Sequence, residues 1–149
     1  MRFRAIARDF RRTLSRQRVY RMASSKMRRK ILWGSFFAAV VALGLSYWRV
    51  RYGTVNLPEA LYSPALAVIA IASALAVALG AAGFWRSVLV FGSAAPTTVA
   101  VRVLVEGIAD PTSHNLWPFE IVIAYGVGLP FAIGGAVVGW LIAWSQKRQ

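Results

Sequence analysis

The sequence predicts an all-α, polytopic membrane protein with four transmembrane helices and a basic amphipathic N-terminal arm. Three observations predict it. Apolar residues make up 58% of the 149 positions, and they run in blocks of about twenty. That is the length that crosses a hydrocarbon core of about 30 Å at about 1.5 Å per helical residue. Charged residues are only 15% of the chain, against roughly a quarter in an ordinary soluble domain. Twelve of the eighteen basic residues fall within the first thirty positions. The net charge of +13 therefore belongs to an arm, and nucleic acid, the usual partner of an evenly basic soluble fold, is not the expected one. Two regions follow: a cytoplasmic arm over residues 1–30 and a helical membrane domain over 31–149.

The arm carries Arg2, Arg4, Arg8, Arg11, Arg12, Arg16, Arg18, Arg21, Lys26, Arg28, Arg29 and Lys30 against one acid, Asp9. Phe3, Ile6, Ala7, Phe10 and Leu14 recur at spacings of three and four, one face of a helix, and the pattern lapses after Ser15. A short helix lying on anionic lipid headgroups fits it, each basic residue near the surface contributing about 1 kcal/mol. The same charge keeps the N-terminus cytoplasmic. An Arg-rich, acid-poor amphipathic start also fits a mitochondrial presequence, so the mitochondrial inner membrane is the alternative location.

The first span is expected over residues 31–48, with Trp33 near one end and Tyr47 and Trp48 at the other, where amphipathic rings favour the headgroup level. A polar loop follows, and Pro64 suits the first turn of a second span over 64–85. In that span Ala67, Ala70, Ala74, Ala78 and Ala81 form a small-residue stripe, with Trp85 and Arg86 at its far end. The third span, 87–106, is the least apolar. Pro96 should kink it, with Thr97 and Thr98 available to satisfy the freed backbone groups. Arg102 would snorkel from one turn below the interface and pair with Glu106. The fourth span, 119–144, carries a longer stripe of Ala124, Gly128, Ala132, Gly135, Gly139 and Ala143, interrupted by Pro130. The two stripes are expected to meet as the central seam of the bundle.

Four spans put both termini, and fifteen basic residues, on the cytoplasmic side, leaving Arg49 and Arg51 outside. Three spans with residues 87–106 re-entrant would put Lys147 and Arg148 outside, so the positive-inside bias favours four.

Outside the arm, polar chemistry gathers in one place. Arg102, Glu106, Asp110, His114 and Glu120 fall within nineteen residues and include the one histidine and three of the five acids. Asp110-Pro111-Thr112-Ser113 is a turn signal, and Glu120 sits favourably near a helix start. A polar hairpin joining two spans accounts for the cluster without chemistry. An ion or proton path through Arg102, Glu106 and Glu120 is the sharper alternative. A metal site at His114 with carboxylates lacks diagnostic spacing, and the absence of cysteine excludes disulfides and thiolate chemistry. No cofactor, metal or catalytic constellation is expected, and enzyme activity is not. The expected partners are the bilayer, a second copy of the chain or a larger membrane complex.

The run Asp110–Glu120, DPTSHNLWPFE, placed just before a Gly-rich span, resembles a segment of small uncharacterised bacterial multi-pass inner-membrane proteins. The resemblance covers this run and the last span but not the arm. It implies a bacterial inner-membrane setting and assigns no role to any residue.

Overall fold

The computed structural model describes residues 2–50, 57, 59–109, 116–146 and 148, with side chains from residue 25 onward except at 109. All regular structure among these residues is helical. The elements are α1 (Arg2–Tyr47), a single 3-10 turn (Glu59–Leu61), α2 (Leu66–Ala78), α3 (Phe84–Gly92), α4 (Ala94–Ala109) and α5 (Trp117–Gln146). Among the described residues three stretches are long and apolar enough to cross a membrane: Ser25–Tyr47, Phe84–Ile108 and Trp117–Gln146. This is the architecture of a multi-pass membrane protein in contact with the lipid bilayer.

Arm and first span form one helix. No glycine or proline occurs between Arg2 and Trp33, so nothing interrupts the backbone ladder, and α1 does not stop near Ser15 where the apolar face lapses. Periodicity reported which face is greasy there, not where the helix ends.

The second and third segments exchange the characters that the sequence suggests. The span expected over 64–85 is not a single helix. Its helical core, α2, has 13 residues, about 20 Å at 1.5 Å per residue, and is too short alone for a core of about 30 Å. Tighter bonds from Leu66 N–H to Ser63 O and Ala67 N–H to Pro64 O lead into it. Gly80, at φ +64°, then turns the chain, and the N–H groups of Ala81 and Ala82 both return to Ala76 O. Trp85 and Arg86 consequently sit in the first turn of α3 rather than at the end of α2.

The segment with weaker hydropathy is one of the long ones. Its helix breaks at Ser93, between α3 and α4, three residues before Pro96. The missing proline N–H leaves Gly92 O, four residues back, without its helical donor. Ser93 Oγ donates to Val90 O at 2.8 Å and Thr97 Oγ1 to Ser93 O at 2.7 Å, so local hydroxyls supply donors around the break.

Cross-helix contacts set the path of the chain. Arg28 Nη1 donates to Gly80 O at 2.8 Å, which levels the end of α2 with the beginning of the apolar part of α1. Arg102 donates to Tyr47 O at 3.1 Å, which levels α4 with the end of α1. The segments therefore run alternately up and down. α5 is the hub of the bundle: Gly135 lies on Ala70 and Gly139 on Ala74, so α5 runs parallel to α2, while Gly128 lies against Gly92 and Ala95. A Cβ at Gly135 or Gly139 would drive into the carbonyl oxygen of Ala70 or Ala74 respectively. Ala124, Gly128, Ala132, Gly135 and Gly139 are all buried, and Ala143 is half-buried. On α2, Ala70 and Ala74 supply the seam while Ala67 is exposed and Ala81 has passed into the turn. Close backbone approach is how helices associate where lipid is as apolar as the side chains.

Gly135→Leu should lower stability in detergent by about 1–3 kcal/mol, the range for overpacking a filled interface. Gly134→Leu, whose Cβ meets nothing within 4 Å, should leave the unfolding midpoint where it is. Equal shifts in the two variants would refute the seam.

Candidate functional site

The polar groups of the bundle concentrate where α4 meets the end of α1. A helix ends with four carbonyls that lack intrahelical donors, and these carry partial negative charge. In the last turn of α1, Trp48 N–H reaches Gly44 O at 2.8 Å and Val50 N–H reaches Tyr47 O at 3.3 Å. Arg102 completes the end. Its Nη1 donates to Tyr47 O at 3.1 Å, its Nη2 to Val50 O at 2.6 Å and its Nε to Glu106 Oε1 at 2.8 Å. The guanidinium also lies 4.8 Å from the centroid of the Tyr47 ring.

Only 4% of Arg102 is exposed. Its donors go to the carbonyls at the end of α1 and to Glu106, so the side chain packs within the bundle. The pairing with Glu106 is present, and Glu106 is one-third exposed at its side chain, so the ion pair keeps one wet edge. Glu120 lies in the first turn of α5. Its Oε2 is buried, as is the Tyr47 hydroxyl, which has no hydrogen-bond partner among the described residues. Asp110 and His114 lie outside the described residues, and the structure brings Arg102, Glu106 and Glu120 of the expected cluster together around Tyr47. Among the described residues no group of three or more histidine, cysteine or acidic side chains is arranged to hold a metal ion.

One turn below Arg102, a second tie joins the same helices. Thr98 Oγ1 donates to Ala94 O at 2.9 Å and lies 3.3 Å from Val40 O on α1, while Trp48 Nε1 donates back to Thr98 O at 3.1 Å. Trp48 therefore folds over Gly44, where a Cβ would meet the indole at 2.6 Å, rather than standing out as a simple interfacial anchor. On the other side of the bundle, Ser73 Oγ donates to Ala132 O at 2.8 Å, and Ser87 Oγ to Ser73 O at 3.1 Å. This pair ties α2, α3 and α5 together and is fully buried. Sequence reasoning passed over both serines. The available signal was a lone hydroxyl within the otherwise aliphatic run of α2.

The arrangement is chemically conservative. Ser73, Ser87, Thr98 and Arg102, the buried polar residues among those described, each bond a backbone carbonyl of another helix. Such groups hold helices in register; they do not by themselves make a route or a reaction centre.

Arg102→Gln should cost about 2–4 kcal/mol, because charged hydrogen bonds contribute about 1.5–3 kcal/mol each and buried carbonyls lose their donor. Glu106→Gln should cost under about 1 kcal/mol, since its carboxylate is partly wet. Detergent unfolding midpoints measure both, and a larger loss at Glu106 would overturn the assignment of Arg102 as a backbone cap. Comparison of the chain with protein-family models, curated proteins and solved structures finds no match.

Proposed function

We propose that this chain is a non-enzymatic accessory or assembly protein of a bacterial inner membrane. It crosses the bilayer four times, with both termini cytoplasmic. The observation that carries the functional reading is the use made of its buried polar side chains, which tie helix to helix through backbone carbonyls. A bundle built this way is a rigid scaffold. What it offers outward is apolar helix surface, including a groove of about 410 Å³ between α2 and α5 lined by Ala70, Ile71, Ala74, Pro130, Gly134 and Val138.

Four crossings are supported by the antiparallel levels of α1, α2 and α3–α4. The short α2 is lengthened by its leading turns at 63–65 and still travels from the loop after α1 back to Arg28. Cytoplasmic termini are supported by the basic arm at one end and by Arg148, whose guanidinium lies 3.6 Å from the Trp144 ring centroid, at the corresponding end of α5. The resemblance of Asp110–Glu120 to a segment of small bacterial membrane proteins supports the choice of membrane. The small-residue stripes pack against each other inside the bundle, and Ala70, Ala74 and Gly135 also border the groove, so partners would be engaged through the groove and the outer faces of the helices.

A second reading rests on the gathering of Tyr47, Arg102, Glu106 and Glu120 at one end: a small transport component using that cluster as a polar entry. Purification from native membranes in mild detergent, with native mass determination, separates the two. The accessory reading expects a stoichiometric larger partner or a defined homo-oligomer. A lone monomer whose ion or proton flux in liposomes falls with Glu120→Gln would replace it with the transport reading.

A further inference from the structure

The two ends of the bundle use their cations differently. At the α4 end, Arg102 directs its donors to backbone and to Glu106. At the opposite end, α1 and the α2–α3 turn enclose a cleft of about 460 Å³, whose walls include Ser25, Lys26, Arg28, Arg29, Gly80 and Arg86. Four of these residues are cations, and among the described residues no acid lines the cleft. Three come from about one turn of α1, and Arg86 comes from α3, more than fifty residues further along the chain.

The cleft has a built wall. Gly80, at φ +64°, makes the tight turn that places its carbonyl under Arg28, and the 2.8 Å hydrogen bond from Arg28 Nη1 fixes that guanidinium across the turn. Beside it α3 begins. Gly83 is extended (φ −71°, ψ 163°) and gives no side-chain cap, so the positive end of α3 adds to the same region. Four like charges around one cleft repel each other, and an anion seated among them offsets that repulsion.

We infer that this cleft binds the phosphate-bearing headgroup of an anionic lipid. The inference rests on the membrane reading of the chain. Phosphate is the shared chemistry of a lipid headgroup and a free ion, and the surroundings favour the lipid. Leu79 and Trp85, on either side of the turn, are 66% and 73% exposed. Acyl chains hanging from a headgroup in the cleft would cover such surfaces, whereas a free ion gains nothing from them. Basic pockets between membrane helices on the cytoplasmic side are a recognised form of headgroup site. This site differs from a diffuse clamp by the arm, because it requires Arg86 and a particular turn.

The test is native mass spectrometry of the full chain from nanodiscs of mixed phosphatidylcholine and phosphatidylglycerol, with lipid retention followed as detergent and activation increase. Phosphatidylglycerol should outlast phosphatidylcholine. Arg86→Gln and Lys26→Gln should each weaken that retention by about fivefold, the weight of one basic residue at an anionic surface. Arg49→Gln at the opposite end of the bundle should leave it unchanged, and Arg11→Gln in the arm should have a smaller effect. Both cleft residues are exposed, and either variant suffices if the other does not fold. Wild-type retention in a folded cleft variant would overturn the site, as would an equal loss with Arg11→Gln, which would assign binding to the arm as a whole. Inorganic phosphate that itself stays bound and displaces the lipid would overturn the lipid assignment. Failure of the membrane reading has a different signature: alkaline carbonate would strip the chain from native membranes.

Discussion

The close approach of α5 to α2 is the constraint from which the rest of the bundle follows. In water, two helices are pressed together by the exclusion of solvent from their side chains. In lipid that force is missing, and the gain must come from contact itself. Gly135 and Gly139 let the backbone of α5 lie on the carbonyls of Ala70 and Ala74, so closely that even one added carbon has no room. With α2 and α5 fixed parallel and in register, Ser73 reaches Ala132 O and Ser87 reaches Ser73. Gly128 then meets α3–α4 at Gly92, the residue whose carbonyl Pro96 has released from the helical ladder. The proline break and the glycine are complementary: a carbonyl turned out of its own helix needs space in the neighbour.

A second constraint acts on the side where glycine is not used. α1 carries bulky residues, and Leu32, Phe36, Leu43 and Tyr47 fill the core. Helices separated by such side chains cannot rely on backbone contact. The α1–α4 junction instead uses reach: Thr98 and Trp48 bridge it once and Arg102 once more. Burying an arginine is costly unless its donors are satisfied. Here two of its donors go to Tyr47 O and Val50 O at the end of α1, so the guanidinium is satisfied by fixed backbone acceptors. Glu106 then balances the charge at the wet edge. The same geometry explains why this polar cluster is compatible with a rigid scaffold.

The sequence stated the class of fold and much of the last span. The blocks of about twenty apolar residues led to helices, and the span expected over 119–144 lies within two residues of α5 at each end. Boundaries inside the middle of the chain were not legible in the same way. Hydropathy counts apolar content and cannot see that Gly80 leaves the right-handed region, so 64–85 read as one helix although Gly80 and Gly83 mark its turn. It also undervalued the segment expected over 87–106, because serine, threonine and proline lower hydropathy where the hydroxyls in fact bond backbone carbonyls around the break. At the polar cluster the spacing of Arg102 and Glu106 on one helix was enough to pair them. The reach of Arg102 to Tyr47 and Val50 was not, since local spacing carries no information about a helix end more than fifty residues away. Tyr47 read as an interfacial ring, yet it is among the most buried residues of the core.

The shortness of α2 links the packing to the charge at the far end. A helix of 13 residues, even with its leading turns at 63–65, has no length to spare across a full-thickness core. The seam with α5 fixes its register, so the α2–α3 turn is drawn to the level of Arg28, just before the apolar block of α1 begins. A longer α2 would carry that turn out beyond Arg28, and Arg86 would lie in water among the other cations of the arm. Instead Arg86 is brought beside Lys26 and Arg29 at the rim of the bundle, next to exposed Trp85. The glycines of α5 thus act at a distance: by setting where α2 sits, they set where the cations of α1 and α3 converge.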